Sequence, residues 1–308
     1  MPRLSLVVPM YNEQEMTRLF FEKTLPLVQQ CTDDYEFIFV NDGSRDNTLA
    51  NLKELAAQNP RVKVLSLSRN FGKEAAVTAG LEVSSGDAVI ILDADLQDPP
   101  ELIPQFWETF EQGFENVYGV RTDRGTDSFL KRATAQTFYK IYNLLADTPL
   151  PYNAGDCRLM SRRAVNAVLS LPERERFMKG LFSWVGYKSA AVPFCRAPRA
   201  AGKTKWNYWR LWNFALNGLT ASTTVPLKLW TYFGLLVSLG AFLFAAWTAY
   251  KKIMWGNPVS GYTSLMVVIL FFSGVQLITL GVIGEYLSRI FIEVKRRPVY
   301  LADEKINF

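Results

Sequence analysis

Short apolar runs alternate with amphipathic stretches through the first hundred positions. Leu4-Ser-Leu-Val-Val-Pro9 reads as a buried strand, and the segment from Glu13 to about Gln30 carries its apolar residues at helical spacing. The unit then recurs. Glu36 to Val40 predicts a second strand, Asp46 to Gln58 a helix, and Val62 to Leu67 a third strand. Gly72 to Ser84 predicts a further helix, and Ala88 to Leu92 a fourth strand that runs into Asp93. Strands separated by helices imply an α/β fold with a parallel sheet covered on both faces. In such sheets ligands sit at the carboxyl ends of the strands. Those ends carry Pro9 to Glu13, Asn41 to Ser44, Ser68 to Gly72 and Asp93 to Asp98.

The pattern changes in the last third. Leu229 to Tyr250 and Thr263 to Gly284 contain no charged residue, and each is about 22 residues, enough to cross a bilayer core. Between sheet and spans, Ser128 to Ala146 and Trp206 to Leu229 mix aromatic, basic and apolar residues as interfacial amphipathic helices do. The expected organisation is a catalytic domain over 1–205, an interfacial helix over 206–228, two transmembrane helices within 229–285 and a tail over 286–308. Lys203, Lys205, Arg210 and Lys228 precede the first span, and Arg289, Lys295, Arg296 and Arg297 follow the second. The positive-inside rule therefore puts both ends in the cytoplasm. Leu4 to Pro9 is too short, and too soon followed by Glu13, to be the apolar core of a signal peptide.

Composition narrows the partners. The 308-residue chain has a net charge of +5, and its basic residues crowd near the spans, which suits an anionic lipid surface. They form no aromatic-interleaved stripe of the nucleic-acid-binding kind elsewhere. Cys31, Cys157 and Cys195 lack metal-site spacing and read as reduced thiols.

Chemistry concentrates in Asp93-Ala-Asp95-Leu-Gln97-Asp98-Pro99-Pro100. Two carboxylates one residue apart at a strand end suit a hard divalent cation on phosphate oxygens, such as Mg²⁺ or Mn²⁺. A solvated acidic turn has the same sequence, and it is the strand end that favours the metal reading. Asn41-Asp42-Gly43-Ser44 and Pro9-Met-Tyr-Asn-Glu13 follow two neighbouring strands. A carboxylate there can accept bonds from a base or ribose, and a tyrosine can pack on a planar base. Turn chemistry alone would also place Asp42-Gly43.

Taken together, these motifs resemble the inverting family 2 glycosyltransferases of GT-A fold. Within that family the chain is similar to polyprenyl-phosphate glycosyltransferases of the bactoprenol glucosyltransferase type, related to dolichyl-phosphate mannose synthases. The likeness is carried by Val8-Pro-Met-Tyr-Asn-Glu13, Val40-Asn-Asp-Gly-Ser44, Ser68-Arg-Asn-Phe-Gly72, Asp93 to Glu101 and Asp156-Cys-Arg-Leu159. It continues through Arg174 to Trp184, Gly202-Lys-Thr-Lys205, the paired spans and Glu293 to Pro298. Two positions depart from the family: Thr204 stands for the usual serine, and Cys157 where phenylalanine is common.

The resemblance implies a GT-A catalytic domain followed by a two-helix transmembrane hairpin in a bacterial inner membrane. It implies that Pro9, Tyr11, Glu13, Asp42, Asp93, Arg199 and Lys205 bind the donor and that Asp93, Asp95 and Gln97 surround Mg²⁺ or Mn²⁺. Asp95, Asp156, Arg121 and Arg132 form the implied catalytic set. UDP-glucose is the implied donor, polyprenyl phosphate the acceptor, and the assembly a homo-oligomer, a tetramer by resemblance. The chain has no histidine, so any base is a carboxylate, a perturbed lysine or the substrate itself. Two rivals stay open: a non-catalytic scaffold or flippase subunit, and a processive polysaccharide synthase, whose Gln-x-x-Arg-Trp motif is absent from the sequence.

Overall fold

The computed structural model describes residues 2–122, 139–146, 148–195, 220, 223–255 and 261–308. The chain begins with β1 (Leu4–Met10), α1 (Met16–Cys31), β2 (Tyr35–Asn41), α2 (Thr48–Gln58) and β3 (Val62–Leu67). It continues through α3 (Lys73–Val83), β4 (Ala88–Ile91), α4 (Leu102–Glu111), β5 (Asn116–Arg121) and β6 (Ala154–Ser161). Then come α5 (Arg162–Ser170), α6 (Met178–Trp184), β7 (Ser189–Phe194), α7 (Val225–Trp255), α8 (Tyr262–Lys295) and β8 (Ala302–Ile306). The eight strands form one sheet in the order β7-β5-β6-β4-β1-β2-β3-β8.

The central strands β4, β1, β2 and β3 are parallel, as their apolar runs predict. The sheet as a whole is mixed, because β6 runs antiparallel to both β4 and β5 and β8 runs antiparallel to β3. Period-two alternation divides the core. Leu4, Leu6 and Val8 point to the side of α1, α2 and α4, whereas Val7, Ile38 and Val40 meet α3, α5 and α6. Helix α3 lies unusually close, since a Cβ on Gly80 would stand 2.3 Å from Val7 Cγ1. At the junction of β6 and α5, Ser161 caps the helix by accepting a bond from the Ala164 N–H at 3.1 Å.

Below the sheet's amino ends, Glu36 is wholly enclosed. Its carboxylate takes a 2.8 Å ion pair from Lys63, a 3.1 Å pair from Arg3, and bonds from Ser5 and the Ser85 backbone. These partners outweigh the burial that opposes its charge and bring its pKa down to about 2.

The two long helices α7 and α8 extend past the expected spans at both ends. Among the described residues, Leu227–Phe244 and Val267–Lys295 are apolar enough to cross a membrane, with mean hydropathies of 1.6 and 2.3, and neither is buried within the chain. Leu235, Phe242 and Leu277 are each at least 70% exposed, a surface that only lipid or another span would cover. Beyond α8 the chain returns to the sheet, so the expected tail supplies the edge strand β8. Glu293 accepts the Arg174 N–H at 2.8 Å, Arg289 pairs with Glu175 at 2.9 Å, and Tyr300 donates to Glu82 at 2.6 Å. The paired helices and the sheet domain are therefore joined at several points besides the polypeptide itself. The interfacial helices expected over 128–146 and 206–229 fall largely outside the described residues, except that 139–145 is helical and Val225 to Leu229 open α7. All three cysteines are free thiols.

Candidate functional site

The carboxyl ends of β1 to β4 open on one edge of the sheet, and each loop there is fixed by its neighbours. The Asn12 N–H donates to Ser44 Oγ at 3.0 Å, Arg45 N–H to Asn12 Oδ1 at 2.8 Å, and Glu13 N–H to Thr48 Oγ1 at 2.9 Å. Pro9, Tyr11 and Glu13 are thus held against the Asn41 to Ser44 turn. Gly43 adopts φ +62°, and a Cβ on it would stand 2.3 Å from the Arg69 carbonyl carbon, so only glycine lets the second and third loops close.

Asp42 is buried and spans those two loops. Its carboxylate accepts the Phe71 N–H at 2.7 Å and the Gly72 N–H at 3.0 Å. Burial raises its pKa against the pull of those amides. Each oxygen accepts one backbone N–H, which fixes the carboxylate between the two loops at the strand ends.

Along Asp93 to Asp98 exposure alternates: Asp93, Asp95 and Gln97 are partly open, while Ala94, Leu96 and Asp98 turn inward. The three expected metal-site residues are thus the partly open ones of this turn. The Gln97 N–H donates to Asp95 Oδ1 at 3.1 Å and helps fix that turn.

Strand register brings Asp156 to the same place. Ile91 of β4 lies opposite Arg158 of β6 in an antiparallel pair, so two steps onward Asp93 comes level with Asp156. Lys73, in the first turn of α3, joins them: its ammonium is 2.8 Å from Asp93 Oδ2 and bonds Asp156 Oδ2 as well. Lys179 of α6 approaches Asp156 Oδ1 at 3.4 Å. Burial opposes ionisation of Asp156, but Lys179 and Lys73 overcome it and hold the carboxyl well below the usual range. Lys73 is correspondingly raised, its burial outweighed by Asp156 and Asp93. Next to it, burial and the charge of Asp156 push Glu74 up to about 7.

Arg121 closes β5, with its N–H on the Asn153 carbonyl at 3.2 Å, and its Nε has no hydrogen-bond partner among the described residues. Arg132, Arg199 and Lys205 lie outside the described residues. Sequence reasoning missed Lys73, Glu74 and Lys179. The quoted motif Ser68 to Gly72 stopped one residue short of Lys73. The signal was there: a glycine, here at φ +101°, then a lysine opening a helix at a ligand-facing strand end.

Residues 5–169 match glycosyl transferase family 2, more than half of the chain. The chain belongs to glycosyl transferase family 2. Residues 225–290 match the GtrB C-terminal hairpin, which covers α7 and most of α8. An uncharacterized glycosyltransferase of Synechocystis is 50% identical over 98% of this chain and 95% of its own length. The bactoprenol glucosyl transferase of Shigella phage SfII is 49% identical over 97% of each chain, and the prophage homologue of Escherichia coli K12 is 47% identical over 97% of this chain and 98% of that one. The glucosyl-3-phosphoglycerate synthase of Mycobacterium tuberculosis has the same fold, with a TM-score of 0.50 at 20% identity over 71% of this chain and 78% of that one. This family 2 transferase thus pairs a GT-A sheet with a membrane-associating hairpin.

Proposed function

We propose that the chain transfers glucose from UDP-glucose to a polyprenyl phosphate with inversion, giving a lipid-linked sugar for modification of cell-envelope glycans. Undecaprenyl phosphate is the proposed acceptor, and the catalytic domain faces the cytoplasm from a bacterial inner membrane. One observation carries the reading: the strand-end face gathering Asp93, Asp95 and Asp156 belongs to a chain that aligns almost end to end with bactoprenol glucosyl transferases.

Pro9, Tyr11, Glu13 and Asp42 would meet the nucleoside at the ends of the first two strands. Asp93, Asp95 and Gln97 would hold the divalent cation. All three are partly open and offer oxygens that suit a hard ion, and with only two carboxylates the remaining ligands would fall to diphosphate and water. Bound there, Mg²⁺ or Mn²⁺ would neutralise charge on the departing diphosphate.

The acceptor supplies its own nucleophile. A phosphate monoester with a second pKa of about 6 is anionic at neutral pH, so its oxygen can bond to the anomeric carbon as the bond to UDP breaks. No protein base is needed, which fits a chain without histidine. Asp156, kept ionised by Lys179 and Lys73, is a poor proton acceptor and serves to orient sugar and acceptor. Lys73 fixes Asp156 against Asp93. Arg121, with Arg132, Arg199 and Lys205, would face phosphate oxygens through charge-assisted bonds.

The test is the configuration of the product. Proton NMR of the purified lipid-linked sugar should show a β-glucosyl phosphate made from α-linked UDP-glucose. An α product would contradict inversion, and no lipid-linked sugar from any nucleotide donor would leave the scaffold reading.

A further inference from the structure

Beside the catalytic carboxylates lies a cavity of about 160 Å³ between β5, β6 and α6. Its lining runs from Ala154 and Lys179, which flank Asp156, to Asn116 and Ser189, paired at the far ends of β5 and β7. Among the described residues the lining includes two cations, Arg158 and Lys179, and no carboxylate.

Arg158 is only 4% exposed and stacks on the Phe182 ring at 3.9 Å. Its Nε has no hydrogen-bond partner among the described residues, and its Nη2 reaches the Gly155 carbonyl at a long 3.4 Å. A buried guanidinium so poorly matched is costly unless an anion completes it. Burial pulls its pKa down to about 10, against the charge of Asp156.

Asp156 stands between this cavity and the donor loops. Its Oδ2 faces Lys73, which also bonds Asp93, while its Oδ1 faces Lys179. An inverting displacement needs nucleophile and leaving group on opposite sides of the anomeric carbon. If the diphosphate lies at Asp93 and Asp95, the nucleophile belongs on the side of Lys179.

We propose that Lys179 and Arg158 form an anion subsite that receives the phosphate of the acceptor, with Asp156 separating it from the donor diphosphate. The assignment rests on the glycosyl-transfer reading above. It adds two binding residues, one from α6 and one from β6, to the arginines expected from the sequence. The ligand chemistry is a phosphate monoester dianion, and Arg158 supplies a planar fork while Lys179 supplies a point charge.

Lys179 is the residue to change, because its side chain is 26% exposed and its loss leaves no hole in the core. With the full-length protein in detergent, Lys179→Met should raise the KM for polyprenyl phosphate about ten- to hundredfold, the worth of a charge-assisted bond. The KM for UDP-glucose should change less than about twofold, and Lys179→Arg should recover most of the acceptor affinity. An unchanged acceptor KM, or a donor KM that rises in parallel, overturns the assignment. A second arm does not depend on turnover: inorganic phosphate, added at saturating UDP and Mg²⁺, should raise the melting temperature of the wild type and of Lys179→Arg but not of Lys179→Met. An equal shift in all three, or none in any, also overturns it. A wild type that glucosylates no polyprenyl phosphate defeats the transfer reading, and the phosphate arm then decides the subsite alone.

Discussion

Replacing Lys73 by methionine keeps an unbranched side chain of similar length and removes an ammonium that touches both Asp93 and Asp156. Two consequences follow. Asp93 and Asp156 then face each other without the shared cation, and the Asp156 carboxyl, still held down by Lys179 and Arg158, is less strongly depressed. The acid limb near neutral pH, set by the acceptor phosphate with its second pKa of about 6, stays where it is. The reacting centre also loses a preorganised positive group, and removing one such group from an enclosed site typically costs about 100- to 1000-fold in kcat, or about 3–4 kcal/mol. Initial rates of label transfer into lipid, at saturating donor and acceptor across pH 5 to 9, measure the rate loss. Lys73→Arg should retain part of the rate. A methionine variant that folds and keeps kcat within about threefold would refute the role given to Lys73.

Three further outcomes are expected. Glu36→Gln removes the anion of a buried ion network. Because the folded pKa of about 2 lies below the ordinary value, Glu36 stabilises the fold fully above about pH 4.5 and loses that contribution as pH falls toward 2. The variant should lose about 3 kcal/mol at pH 7, read as a lowered thermal midpoint in detergent, with the difference shrinking in acid. Glu74 has the opposite sign: with its folded pKa raised from 4.5 to about 7, its charge costs stability that builds as pH rises between those values and is complete above about 7. Glu74→Gln should therefore stabilise the fold at pH 8.5 by up to about 3 kcal/mol, read as a raised midpoint, and leave it nearly unchanged at about pH 3.5. Gly80→Ala drives a methyl to 2.3 Å from Val7 Cγ1, an overpacking of about 1–3 kcal/mol only partly offset by about 1 kcal/mol of helix propensity, and urea titration should show the net loss.

The first four strands could be read from sequence because each is an apolar run buried on both faces, from Leu4–Met10 to Ala88–Ile91. The edge strands could not. β7 contains Pro193 and alternates exposed with buried positions, and β8 is Ala-Asp-Glu-Lys-Ile, a charged strand suited to a sheet margin. Nothing local in Asp303-Glu304-Lys305 announces a partner in β3, more than 230 residues earlier. The apolar length of the hairpin was legible, but its helices run on through Lys251 and Lys295 because helix continuation needs no apolar residue. At the site, Asp93, Asp95 and Gln97 were visible as a strand-end cluster. Asp156 came from resemblance, since its meeting with Asp93 depends on antiparallel register. Arg158 and Lys179 lie inside quoted stretches but were given no role, because each is a single residue on an element whose apposition is purely tertiary.

The most direct test is transfer of radiolabel from UDP-glucose into an organic-extractable lipid by the purified full-length protein with undecaprenyl phosphate and Mg²⁺ or Mn²⁺. Label should enter the lipid phase with wild type and be lost with chelator and with Asp95→Asn. Label that persists in both would contradict the metal assignment, and no label from UDP-glucose or other nucleotide sugars would contradict the transferase itself.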